Sequence, residues 1–223
     1  MRSWLCLATC GAVALGCDQE RKAPPAPRAR SVAVQGSGSA KPASAPPKPS
    51  SQPRAIAKRK GPLCGGRLDA TGREMPKSEL ARESAPGAPA LPATLTVGEG
   101  KWTWINFWAA WCEPCKEEIP RLKSWEARLN AAGVPLRLQF ISLDDDPRQL
   151  ERFLADQTSD GLRSTYWLRE GEQREGWLTD AGASADPELP IHLVVDPKGL
   201  VRCVLPGAVE DGDYPAVLEL LKK

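Results

Sequence analysis

Two cysteines, Cys112 and Cys115, stand three positions apart in the stretch WAAWCEPCKEEIP, Trp108 to Pro120. Three chemistries fit that spacing: a disulfide that opens and closes, a two-thiolate clamp for a soft metal, or a static bridge. If a strand gives way to a helix at Cys112, the unpaired amides and macrodipole of the helix N-terminus favour a thiolate there. Cys112 is then the exposed attacking sulfur. Cys115, one turn later on the same face, resolves the mixed disulfide. Pro114 has no backbone N–H and stiffens the chain between the sulfurs. Together with Glu113 it tunes the potential, where about 30 mV corresponds to roughly 1.4 kcal/mol.

The elements around the pair follow from pattern. WTWINFWA (102–109) is a nearly continuous β-branched and aromatic run, as in a strand buried on both faces. After the cysteines, Ile119, Leu122, Trp125 and Leu129 recur at helical steps and Gly133 supplies a stop. Pro120 falls inside that helix and is expected to kink it. LPATLTV (91–97) and PLRLQFISL (135–143) read as further strands, and DDDPRQLERFLADQ as a helix with an acidic start. TYWL (165–168) reads as a short strand within an insertion. PIHLVVDPKGLVRCVL reads as two strands joined at Asp196-Pro197-Lys198-Gly199, and DYPAVLELLKK as a closing helix. Residues 63–92 are expected to be a loose lead-in with one short strand. The sum is an α/β domain over 63–223, a central mixed sheet flanked by helices.

The N-terminus differs in kind. Residues 1–17, MRSWLCLATCGAVALGC, carry one Arg, a short apolar run and small residues, the pattern of an export signal. Residues 18–62 form a Pro/Ala/Lys-rich linker, expected to be disordered because it cannot bury enough apolar surface. Residues 18–60 hold ten Lys/Arg against two Asp/Glu, whereas 61–223 hold 19 against 26, so the whole-chain charge of +2 hides a basic stalk on an acidic domain. The stalk suits either an anionic membrane or wall polymer or a plain soluble spacer. Of the seven cysteines, four remain beyond residue 17. Cys64 and Cys203 are left after the local pair, either as a structural disulfide in an oxidising compartment or as two free thiols.

INFWAAWCEPCKEEIP resembles the active-site segment of thioredoxin-like proteins, most of all the membrane-tethered TlpA- and ResA-like branch. The similarity runs over roughly residues 90–223 and includes ISLDDDP and LPIHLVVDPKG. It implies a thioredoxin-like fold and a thiol–disulfide oxidoreductase, needing no cofactor or resident metal, that reduces particular protein disulfides. Its electrons would come from a membrane thiol donor, as in cytochrome c maturation. It also places Trp111, Glu113, Pro114, Leu189 and Pro190 on the substrate side, with Pro190 as the family's cis-proline. Leu189 departs from the small or β-branched residue usual before that proline. Asn106 stands where general thioredoxins carry a buried aspartate. Glu118 matches an acidic residue tied to thiol chemistry; it is either a semi-buried base or a solvated helix glutamate like Glu117. His192, the sole histidine, is expected to be a packing residue. VALGC looks like the lipobox of bacterial lipoproteins, which implies lipidation at Cys17 and a lipid-anchored protein on the periplasmic face of the cell envelope. No nucleic acid is expected among its partners. The alternative function is a copper(I)-handling lipoprotein with the CxxC as ligands. Copper-delivery proteins of related fold, however, pair a CxxxC with a distant histidine.

Overall fold

The computed structural model describes residues 54–55, 59 and 61–222. The expected signal 1–17, Cys17 and nearly all of the linker 18–62 lie outside them. In chain order the elements are β1 (Arg54–Ala55), β2 (Arg73–Glu74), β3 (Ala81–Ser84), β4 (Trp102–Trp108), α1 (Glu113–Ala131), β5 (Leu136–Ser142) and α2 (Pro147–Ala155). There follow β6 (Ser164–Trp167), α3 (Glu172–Asp180), β7 (Glu188–Leu189), β8 (Ile191–Val195), β9 (Leu200–Pro206) and α4 (Tyr214–Leu221).

Seven strands make one mixed sheet in the order β2-β9-β8-β4-β5-β6-β3. β4 takes the centre, as its apolar run requires, and all but its first residue are buried. It runs parallel to β5 and antiparallel to β8. α1 leads from β4 to β5 and buries one stripe, Cys115, Glu118, Ile119, Leu122, Trp125 and Leu129. The helix continues through Pro120 to Ala131, and Gly133 just beyond its C-cap, with a φ of 77°, permits the turn back to β5. β8 and β9 form the expected hairpin, with the Gly199 N–H donating to the Asp196 carbonyl at 2.9 Å.

Three expectations need correction, and one helix was not expected at all. The lead-in is not loose: β2 pairs with β9 at one edge of the sheet and β3 with β6 at the other. The expected strand at 91–97 contributes only an isolated bridge between Thr94 and Glu79. β6 is no strand of an insertion; it lies between β5 and β3 in the main sheet. α3, unannounced by any helical period, anchors itself through buried Trp177 and Leu178. Among the described residues no helix is long and apolar enough to cross a membrane.

Candidate active site

Cys112 caps the N-terminus of α1, with extended backbone and Pro114 in the first helical turn. It is joined to Cys115, the two Cα atoms 5.3 Å apart. The expectation of an exposed Cys112 is not met. Both cysteines have 0% accessible surface, at the point where β4 gives way to α1. The register Phe107–Ile191 sets the β7–β8 junction at the same end of the sheet. That junction carries Leu189 and Pro190, both buried, with a cis peptide between them.

The loop from β4 to Cys112 is held by Asp144. Its two carboxylate oxygens accept the Ala110 N–H, each at 3.0 Å, and one also accepts the Ser142 hydroxyl at 2.8 Å. Burial raises its pKa, against the lowering effect of those hydrogen bonds. The three aspartates read as one helix start thus do three jobs. Asp144 braces the loop, Asp145 pairs with the Arg174 guanidinium at 2.8 Å, and Asp146 accepts the Arg148 N–H to cap α2.

Beneath the pair lies a closed polar cluster. Glu118, in the stripe of α1 that carries Cys115, has 0% accessible surface, so it is no solvated glutamate like its neighbour. Asn106 Nδ2 donates to Glu118 Oε1 at 2.7 Å, and the Val209 N–H donates to Oε2 at 3.0 Å. Burial pushes the Glu118 pKa up to about 8, with the Val209 and Asn106 hydrogen bonds and the Arg121 charge opposing it. His192 is equally buried, with Nε2 3.5 Å from Glu118 Oε2. Its Nδ1 accepts the Trp104 indole N–H at 3.0 Å, which puts the ring proton on Nε2, facing Glu118. Burial drives the His192 pKa down to about 3. At neutral pH the contact is therefore between a protonated carboxyl and a neutral imidazole, not an ion pair.

The other predicted residues are dispersed around this centre. Trp111 is half-buried, Pro114 half-buried, and Glu113 exposed in an ion pair with Lys116 at 2.7 Å. Cys64 and Cys203 are joined elsewhere, the Cα atoms 5.6 Å apart, tying the turn Leu63–Gly66 to β9. Among the described residues no three His, Cys, Asp or Glu side chains gather into a metal-binding group. Sequence reasoning missed Asp144, the Val209 amide and the contact of His192 with Glu118. Only the burial of Glu118 had a signal: counting back from Leu129, Trp125 and Leu122, the apolar stripe reaches 118 and then 115.

A cysteine pair at the start of the helix that follows the central strand, at the same end of the sheet as a cis-proline preceding β8, is a thioredoxin-like arrangement. Residues 71–204 match the AhpC/TSA family, more than half of the chain, and the chain belongs to that family. It is 40% identical to the thiol-disulfide oxidoreductase ResA of Bacillus subtilis over 124 residues, 56% of this chain and 63% of ResA. It is 29% identical to the thiol:disulfide interchange protein HelX of Rhodobacter capsulatus over 163 residues, 73% of this chain and 75% of HelX. The chain thus spans just under two thirds of that ResA. Its fold matches the crystal structure of a candidate DsbE from Chlorobium tepidum with a TM-score of 0.50 at 20% identity, over 69% of this chain and 96% of that one. The fold is thioredoxin-like, and the relatives it resembles are named thiol–disulfide oxidoreductases and interchange proteins.

Proposed function

We propose that the protein is an extracytoplasmic reductase of particular protein disulfides, carried on a lipidated Cys17 and a basic linker. The observation that carries the reading is Glu118, fully buried one turn beyond Cys115 on the same helix stripe. In the reduced enzyme the Cys112 thiolate attacks one sulfur of a substrate disulfide, forming a mixed disulfide and expelling the other sulfur as a thiolate. In reduced molecules whose Glu118 is ionised, the minor fraction at neutral pH, Cys115 loses its proton to that carboxylate and attacks Cys112 Sγ, which releases the second substrate thiolate and closes the enzyme disulfide. Two electrons pass to the substrate. Glu118 is left protonated, the form its raised pKa favours in the oxidised protein. A membrane thiol donor returns two electrons, and the carboxyl restores the proton to Cys115. Trp111, Glu113, Pro114, Leu189 and Pro190 form the face that receives the substrate. The HelX and ResA relatives, thiol–disulfide proteins by name, support the exchange chemistry.

The test combines a redox titration of the full chain, read by tryptophan fluorescence, with a trapping experiment. Cys115→Ser should accumulate mixed disulfides with its substrates, whereas Cys112→Ser should trap none and reduce no protein disulfide. A potential higher than that of the surrounding compartment would make the protein an oxidant and reverse the proposed direction.

A further inference from the structure

Arg54 and Ala55 pair in parallel with Glu188 and Leu189, the two residues immediately before Pro190. Further along, Arg59 lies against Gly207. A Cβ built on Gly207 would stand 2.7 Å from Arg59 Cα and 2.9 Å from its backbone nitrogen. The Gly207 N–H donates to the Pro190 carbonyl at 2.9 Å. The N-terminal chain therefore meets the β7–β8 junction twice, at Leu189 and at the residue bonded to Pro190. Arg59 is fastened there by Asp213, Nη2 to Oδ1 at 2.6 Å, with the two side chains only 13% and 18% exposed. Asp213 ends the turn that follows Val209, the residue whose amide holds Glu118.

These contacts lie where a substrate must dock. Extended peptides are recognised by pairing their backbone with a free strand edge. Here the Glu188–Leu189 edge is already paired, by the protein's own chain. The nearby Cys112 has no accessible surface, so its sulfur cannot meet a disulfide of another protein until something moves. Gly207, with φ of 88°, lets the Arg59 backbone come close; a side chain there would push it away.

We propose that Arg54, Ala55 and Arg59 are the resident occupant of the docking edge beside the dithiol, latched by Asp213. A substrate protein gains Cys112 by displacing them, and Asp213 then faces the incoming segment and favours a basic residue. The inference rests on the exchange chemistry proposed above for the importance of the site, but its geometry is independent of it. The fraction of molecules with the strap released scales the apparent reactivity of Cys112. A largely shielded ion pair worth about 1 kcal/mol corresponds to about a fivefold change.

The experiment uses the full chain, reduced and freed of reductant, with the alkylation rate of Cys112 by iodoacetamide followed by mass spectrometry. Arg59→Ala and Asp213→Asn should each raise that rate about fivefold, while Arg59→Lys, which keeps the charge, should stay within about twofold of the wild type. Insulin reduction by Arg59→Ala should rise in parallel. Equal alkylation rates in the wild type and Arg59→Ala would overturn the strap. Faster alkylation of Arg59→Ala in a protein that reduces no disulfide would uphold the strap and remove the oxidoreductase reading instead.

Discussion

The two disulfides of the domain differ in everything but their bond. Cys64 and Cys203 close a loop of 139 residues between a turn and an outer strand, where the neighbours are backbone hydrogen bonds and the Arg202–Asp196 ion pair at 2.9 Å. Cys112 and Cys115 close a ring of three residues' separation at a helix N-terminus, above a buried carboxyl, amide and imidazole. Loop-closure entropy gives the first about 5 kcal/mol of stabilisation and the second only about 2 kcal/mol. The long bridge acts on the unfolded chain. The short one restrains little, and it sits over a buried polar cluster of Glu118, Asn106 and His192. On the proposed function, stability and chemistry are divided between two bonds of one kind.

The largest expected effect is on the long bridge. Replacing Cys64 and Cys203 together with Ala should lower the unfolding free energy by about 5 kcal/mol while the Cys112–Cys115 exchange rate stays within about twofold. Urea unfolding of the double variant beside a dithiol exchange assay checks both halves, and a large fall in exchange rate would merge the roles separated here.

Glu118→Gln sharpens the other side, and should slow resolution by Cys115 on the order of a hundredfold. It should also change the pH profile of stability in the oxidised protein. Glu118 keeps its proton to about pH 8 when folded but only to about 4.5 when unfolded, so its contribution is complete below 4.5 and lost as pH rises to 8. His192 works oppositely: neutral down to about pH 3 when folded but only to about 6.5 when unfolded, it contributes fully above 6.5 and less as pH falls toward 3. The two cancel between pH 4.5 and 6.5, and from 6.5 to 8 Glu118 alone makes stability fall. Urea midpoints measured at pH 6.5 and 8 should drop for the wild type and hold level for Glu118→Gln; parallel drops would assign the proton elsewhere.

The smallest effect concerns the brace of the dithiol loop. Asp144→Ala leaves the Ala110 N–H and the Ser142 hydroxyl without their shared acceptor and should cost about 1–3 kcal/mol. The same variant should broaden the amide resonances of Ala110 and Trp111 while leaving those of Cys64 and Cys203 unmoved.

What could be read from sequence followed the range of the forces involved. The run WTWINFW places itself at the centre of a sheet because both its faces are apolar, and the stripe through Leu122 and Trp125 sets the inner face of α1. The outer strands had no such signal. Arg73–Glu74 and Ala81–Ser84 are short and largely polar, and are strands only because β9 and β6 present free edges to them. In the site, Cys112 and Cys115 were legible from their spacing, whereas the burial of Glu118 stayed open until the helix stripe was seen to include it. His192 meets Glu118 through an antiparallel register that pairs it with Asn106, a relation between distant segments that no local pattern carries. The meeting of Arg59 with Gly207 and Asp213 is of the same distant kind.

Trp104 gives the cluster a voice. Its indole N–H is bound to His192 Nδ1, and its ring meets that of Trp125 edge-on at 6.0 Å between centroids. Protonating or turning the imidazole must break that hydrogen bond, since the indole only donates and Nδ1 would no longer accept. The indole N–H resonance is therefore a built-in gauge of the His192 ring, its protonation and its orientation, readable in solution without any added label.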